Sequence, residues 1–352
     1  MENKFHLKEK KKNKLFNKKK QIYKYINRGY EELTCINLIF FKLFSFFFLL
    51  FIYLIENNTN ISKKINKYIK SWTNNISVCL CVIARHENLY AKEYVNHYKK
   101  LGYNHIFIYD NNDKDGERFE DVIQKEINSG FVSILDWRGN RGYTENEGPQ
   151  LDVYRDCYEK NNKYYDWLSF HDFDEFLEIY PKNLKIQDFL GNERYKHCQS
   201  LKLNFLMFSD NDLLYYDNRP LQVRFTEPLY TNIDNTVIKS TIRGGLKENY
   251  WKNAKNTHTS LMNITSCNTN GEIIDNKSMF NKKYNFTYAA LKHYYPKSLE
   301  EYVRKLIRGR ATLKYTPLNT NEEKHKRMKN FFYYSKKTEE KVNLYKKLLN
   351  IT

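Results

Sequence analysis

Between Ser77 and His171, short apolar runs alternate with helical stretches, and this alternation limits the fold more than any other feature of the chain. The runs are SVCLCVIA (77–84), HIFIYD (105–110), FVSILDW (131–137) and YDWLSFH (165–171). Helical patterns separate them at Asn88 to Leu101, Arg118 to Asn128 and Pro149 to Asn161. Strand-helix-strand spacing of this kind predicts a parallel sheet with helices on its faces. The punctuation agrees. Asn88 suits a helix start and Gly102 a left-handed C-terminal cap, while Pro149 fits a first helical turn. Leu89, Val95, Tyr98 and Leu101 are expected on the buried side of the first helix.

After Glu178 the pattern loosens. Strands are expected over Ser200 to Phe208, Leu221 to Phe225, Thr236 to Arg243 and Tyr288 to Tyr295. Ser298 and Glu301 form a capping-box signature for a helix reaching Arg310. The stretch Glu322 to Leu349 is highly charged and helical, and no internal repeat is visible. The reading is α/β: a Rossmann-like nucleotide-binding sheet followed by a mixed acceptor half, forming one globule.

Ahead of this lies LTCINLIFFKLFSFFFLLFIYLI, from Leu33 to Ile55, in which Lys42 is the one charge. At about 1.5 Å per helical residue it is long enough for a bilayer core. Phe and Leu occupy every helical face, unlike a surface helix, and no small-residue cleavage site follows as in a signal peptide. Met1 to Tyr30 carries ten Lys and Arg28 against Glu2 and Glu9, a net +9. The positive-inside rule therefore predicts a cytoplasmic N-terminus and a type II anchor, with everything after Ile55 on the far, lumenal side of the membrane. The expected layout is a basic tail (1–32), an anchor (33–55), a polar stem (56–75), a catalytic domain (76–315) and a charged helical extension (316–352).

Composition excludes other classes. The chain of 352 residues has a formal charge of +18, half of it in the tail. No zinc-finger spacing or RNA-binding aromatic signature accompanies the charge, so nucleic acid is not an expected partner. Five Cys lie beyond the apolar segment, at 79, 81, 157, 198 and 267, without a paired CxxC. They fit a metal site poorly and are expected to be buried thiols with at most one disulfide. N-x-S/T triplets start at Asn57, Asn60, Asn75, Asn263, Asn276, Asn285 and Asn350, all compatible with a lumenal domain.

The chemistry concentrates in DWLSFHDFDEFLE, Asp166 to Glu178. A strand rich in aromatics delivers Asp172, Asp174 and Glu175 to its carboxyl end, where open α/β sheets bind ligands. Three adjacent acids there would be expensive without a cation. A hard divalent ion held by carboxylates can bridge a diphosphate as a sugar departs. The stretch Ala84-Arg85-His86-Glu87-Asn88 stands where a strand meets a helix N-terminus, a position suited to phosphate. Asp110, at the end of the second run, can accept a hydrogen bond from a base or ribose.

In order, ARHE, EYVNHYKKLGYNHIFIYDNND, GPQLDVYRDCYEK, DWLSFHDFDEFLE, KSTIR with a later His258, and LKHYYPKSLEEYVRKLIRGR resemble glycosyltransferase family 92 and its family-2-like relatives. The resemblance covers about Ser77 to Arg310 and implies a GT-A fold. One departure is His86, where relatives usually carry Asn before the Glu. The implied activity is metal-dependent transfer of a sugar, galactose among the candidates, from a UDP-linked donor to a glycan or glycoprotein with inversion. Asp172 and Asp174 would hold manganese, with His258 or His293 as a further ligand. Ala84, Arg85, Glu87, Asp110, Lys239 and Arg243 would contact the nucleotide. The base stays open among Glu175, Asp210, Asp212 and the loop acids Glu145 and Glu147. The alternative is a membrane-anchored glycan-binding protein on an inactive transferase fold, which the intact acids argue against.

Overall fold

A computed structural model describes residues 76–140, 148–260, 262–309 and 320–351. The expected tail, anchor and stem, with Glu145 and Glu147, lie outside the described residues. No helix among the described residues is long and apolar enough to cross a membrane.

The chain opens with β1 (Val78–Ala84), α1 (Asn88–Leu101), β2 (His105–Asp110), α2 (Glu120–Asn128), β3 (Val132–Asp136), α3 (Pro149–Asn161) and β4 (Trp167–Phe170). It continues through β5 (Glu175–Ile179), α4 (Ile186–Leu190), β6 (Ser200–Met207), α5 (Leu221–Arg224) and β7 (Ile238–Arg243). A small ribbon of β8 (Ser266–Cys267) and β9 (Ile273–Ile274) precedes β10 (Ala289–His293), α6 (Leu299–Arg308), α7 (Asn321–Phe332) and α8 (Glu339–Leu348). The sheet order is β3-β2-β1-β4-β7-β6-β10-β5. The first four strands are parallel, as the alternation predicts. β7 then runs antiparallel to both β4 and β6, β10 is parallel to β6, and β5 closes the sheet antiparallel to β10.

Two-residue periodicity divides the core. Along β1, Val78, Leu80 and Val82 pack with Tyr90, Tyr94 and Tyr98 of α1, while Cys79, Cys81 and Ile83 face Leu151, Tyr154 and Tyr158 of α3. A strand buried on both faces is what a covered parallel sheet requires. Leu89 departs from expectation: it is 51% exposed, and Tyr90, Ala91 and Tyr94 form the buried stripe with Val95 and Tyr98. Gly102 ends α1 at φ 98°, in the left-handed region where glycine carries no penalty.

Three further expectations need correction. Leu221–Phe225 is not a strand: Leu221–Arg224 is one helical turn after Pro220, which presets the turn's φ. The strand carrying the acids is followed at once by β5, which the aromatic run concealed, so Asp172 to Asp174 form a tight connection and Glu175 begins β5. The cysteines form two disulfides rather than at most one, Cys81–Cys157 tying β1 to α3 and Cys198–Cys267 tying β6's approach to β8. Cys79 is a free, buried thiol.

The charged extension is folded onto the domain. Met328 and Phe331 of α7 and Tyr345 of α8 pack with Leu299, Tyr302 and Val303 of α6 in a core of their own. The buried Lys341 ammonium fixes this helix pair to the loop after β6, 2.7 Å from Asp210 and 2.6 Å from Asp212.

Candidate active site

One cavity, about 400 Å³, opens where β1, β4, β6 and β10 end beside the starts of β5 and β7, and it is bounded by α3 and α6. Ala84, Arg85 and Glu87 come to its wall from the end of β1, as position on the strand requires. Arg308 of α6 pairs with Glu87 at 2.5 Å and also donates to the Arg85 carbonyl.

The acids diverge in role. Asp172 is held by the protein itself: Gln150 donates to Oδ1 at 2.6 Å, Tyr154 to the same oxygen at 3.2 Å, and Lys239 to Oδ2 at 2.9 Å. Burial would raise its carboxyl, but the Lys239 ammonium outweighs that and holds it below the ordinary value. Asp174 turns the other way. Its Oδ2 meets Lys305 at 2.6 Å and Lys297 at 3.8 Å, while Oδ1 faces His293 Nε2 at 3.6 Å. Burial opposes its ionisation too, and the two lysines still keep it well below the usual range. Glu175 is fully buried, and one oxygen accepts from the Asp172 backbone N–H at 2.8 Å. Burial, reinforced by Asp172, pushes this carboxyl well above its ordinary value.

Asp174, Glu175 and His293 offer one ligand atom each within 4.8 Å of one another. Glu175 Oε1 and His293 Nδ1 are buried without a hydrogen-bond partner among the described residues. Two carboxylates, an imidazole and orphaned polar atoms are a donor set that fits a manganese-like cation. Asp172 is not in that group. His258 also reaches the cavity; its Nδ1 lies 2.7 Å from the Ile238 carbonyl, and burial lowers its pKa to about 4, so the ring is neutral.

Other expected residues are not brought to the cavity. Arg243 lies at the opposite end of β7 from Lys239, bonded to the Cys198 and Tyr195 carbonyls and stacked 4.4 Å from the Trp167 ring. Because β7 runs antiparallel to β4, its last residue sits beside β4's first, away from the ligand end. Asp110 accepts from Arg138 at 2.8 Å and from the Asn112 backbone at 2.9 Å, and its neighbour Asn111 faces the cavity instead. Asp210 and Asp212 are tied to Lys341 and do not line the cavity.

Sequence reasoning missed Gln150, Lys297, Lys305, Arg308, Asp234 and Tyr334. For Lys305 and Arg308 a signal was present, since an i, i+3 pair on an amphipathic helix presents one basic face. Lys297, buried at φ 53° just before the α6 cap, carried none.

The fold is thus an α/β sheet with a cavity at the carboxyl end of its parallel strands, an acid–imidazole group on one wall and Lys239, Lys305 and Arg308 around it. The chain belongs to glycosyltransferase family 92, whose profile matches residues 74–342 and so reaches well into the C-terminal helices. A family 92 protein of Oryza sativa subsp. japonica is 29% identical over 132 residues, covering 37% of this chain and 21% of the relative. One of Ricinus communis is 28% identical over 117 residues, covering 33% and 19%. The chain thus matches about a fifth of the length of these curated relatives. Among solved structures, S. aureus TarS 1–349 aligns over 78% of this chain and 71% of its own, with 10% identity and a TM-score of 0.32. The same protein in complex with UDP-GlcNAc gives 9% identity, 78% and 72% coverage, and a TM-score of 0.31.

Proposed function

We propose that this chain transfers a hexose, with galactose the first candidate, from a UDP-linked donor to a glycan or glycoprotein acceptor, inverting the anomeric centre. The observation that carries the reading is the Asp174–Glu175–His293 group set against Lys239, Lys305 and Arg308 across one cavity. A divalent cation bound there, manganese by its donor set, would neutralise the diphosphate and stabilise its departure. Lys305 and Arg308, one helical turn apart on α6, are placed to bind phosphate oxygens, and Lys239 holds Asp172 in position behind the acids. Ala84 to Glu87, with Asn111, form the wall for the nucleoside. Glu175 belongs with the cation ligands, because it offers an oxygen within 4.8 Å of the Asp174 and His293 donor atoms and its Oε1 accepts no hydrogen bond among the described residues.

Turnover of UDP-galactose, UDP-glucose, UDP-GlcNAc and GDP-mannose, read as released nucleoside diphosphate with manganese or with EDTA, tests the proposal. Release from one UDP-hexose, abolished by EDTA, is expected. No turnover of any donor overturns the reading, and full activity in EDTA removes the metal from it.

We also place the domain in a secretory lumen behind a type II anchor. Two disulfides in the described part support an oxidising compartment. The triplets supply the test. Asn263 and Asn285 are exposed, whereas Asn276 is buried with its amide bonded to Tyr250, Ser260, Ser266 and Met262. After expression through a secretory pathway, peptide mapping should find glycans at Asn263 or Asn285 and none at Asn276. An unglycosylated chain with reduced Cys81 and Cys157 would put the domain on the cytoplasmic side.

A further inference from the structure

The carboxylates lining the cavity are not equivalent. Glu87 faces Arg308, Asp172 faces Lys239, Asp174 faces Lys305, and Glu175 stands 3.5 Å from Lys239. Asp234 has no cation against it among the described residues. It sits in the short turn between Ile233 and Thr236 that leads into β7, on the acceptor side of the cavity. That turn is capped by the Asn232 side chain, which accepts from the Asp234 N–H at 2.8 Å, so the Asp234 carboxylate is not needed to hold it. One carboxylate oxygen, Oδ2, accepts from the Tyr334 hydroxyl. The other has no protein partner among the described residues.

Tyr334 comes from just beyond α7, so the C-terminal helices contribute directly to this wall. Its ring meets Tyr295 edge-on at 5.3 Å, and Tyr295 meets His293 at 5.6 Å. A single ring therefore separates the Asp234–Tyr334 pair from the acid–imidazole group.

Three exposed apolar side chains lie one residue from the lining of this cavity. Ile233, Phe280 and Tyr333 are each sequence neighbours of a lining residue (Asp234, Met279 and Tyr334), and all three point outward, 68%, 48% and 54% exposed. Backbone bonds from Asn281 to Thr236 and from Ile238 to Met279 fix Phe280 beside the turn, and Asn235 holds the Tyr230 carbonyl on its other side. Exposed apolar side chains next in sequence to the lining of a cavity that carries charged groups match a ligand with C–H faces and many hydroxyls, which is the chemistry of a glycan.

We propose that Asp234 is the base of the transfer, with Tyr334 positioning it and Ile233, Phe280 and Tyr333 forming the platform on which the acceptor glycan lies. The assignment rests on the transferase reading above. In the step, the acceptor O–H bond breaks and its proton passes to the open oxygen of Asp234. The acceptor oxygen bonds the anomeric carbon, and the bond from that carbon to the diphosphate breaks with its electron pair leaving on the phosphate. No further reactant is needed.

The test uses the full chain with manganese, the best UDP-hexose, and galactose-, mannose- and GlcNAc-terminated oligosaccharides as acceptor probes. Asp234→Asn should lower kcat for transfer at least ~100-fold, the size of a general-base contribution, while calorimetric UDP–manganese binding stays at the parental value. Tyr334→Phe should lower kcat less and leave UDP binding alone. Phe280→Ala with Tyr333→Ala should raise the acceptor KM by about tenfold without changing the donor KM, as loss of aromatic contact surface does. Parental melting temperature checks that each variant is folded. Transfer by Asp234→Asn within about threefold of the parent overturns the assignment and leaves the transferase reading standing. A parent that turns over no donor overturns both.

Discussion

Asp174→Asn should reduce turnover at least ~100-fold, the loss typical of removing a principal electrostatic stabiliser of a developing charge. The substitution keeps the shape of the side chain and removes the negative charge that Oδ1 presents toward His293. Lys305 and Lys297 would then lose their shared carboxylate, so the local field becomes more positive and repels a divalent cation. Manganese-dependent UDP binding, measured by calorimetry, should fall with activity. Asp172→Asn makes a contrasting control. Its oxygens serve Gln150, Tyr154 and Lys239, so its main consequence is an unpaired, buried Lys239 rather than a missing ligand. Manganese affinity that falls for Asp172→Asn and not for Asp174→Asn would reverse the two roles.

The largest effect on stability is expected at Arg224→Met, about 3–5 kcal/mol, because it leaves a buried carboxylate unpaired. Arg224 and Glu301 are almost wholly inaccessible and form a two-pronged bond at 2.7 and 3.0 Å. Glu301 also receives Tyr90 at 2.7 Å and closes the capping box of α6 with Ser298. Burial alone would raise the Glu301 carboxyl, but Arg224 and Ser298 bring it below 4.5. The sign follows from linkage. A depressed carboxyl contributes stability that is complete above about pH 4.5 and lost as pH falls through its lower native value. Urea unfolding should therefore show the parent weakening in acid, and the variant less so. Arg224→Met with Glu301→Gln should recover much of the loss, since no charge is then stranded. A single variant as stable as the parent would show that the pair contributes nothing.

The parallel half was legible because its cues are local. Gly102, Pro149 and the edges of β2 could be placed from one or two residues each, and the alternation required the sheet. The Asp-x-Asp-Glu stretch was legible as a site for the same reason. Its division of labour was not, because which acid meets a lysine depends on strands β7 and β10 arriving from far along the chain. Lys239 and Arg243 show the limit well. Two cations in one strand look alike in sequence, and strand direction alone sends one to the ligand and the other to the far edge. Asp234 was invisible because it lies in an irregular stretch where Asn and Asp are ordinary turn formers. It acquires meaning only when Tyr334, 100 residues later, folds back onto it.

The uninterrupted sheet has a consequence for motion. β7 is hydrogen-bonded on one side to β4, in the parallel half, and on the other to β6, in the mixed half. There is no hinge line between the halves, and opening one would tear ladder bonds along a buried strand. The cavity walls carried by the two halves are therefore fixed at one separation, and any closing over a ligand must come from the segments that overhang the sheet. Among the described residues α6 is one element so placed: its Lys305 and Arg308 reach the site from a helix held by the Arg224–Glu301 pair and by packing on α7 and α8. In a molecule built this way strand pairing sets the width of the cavity, and movement is left to the segments that overhang it.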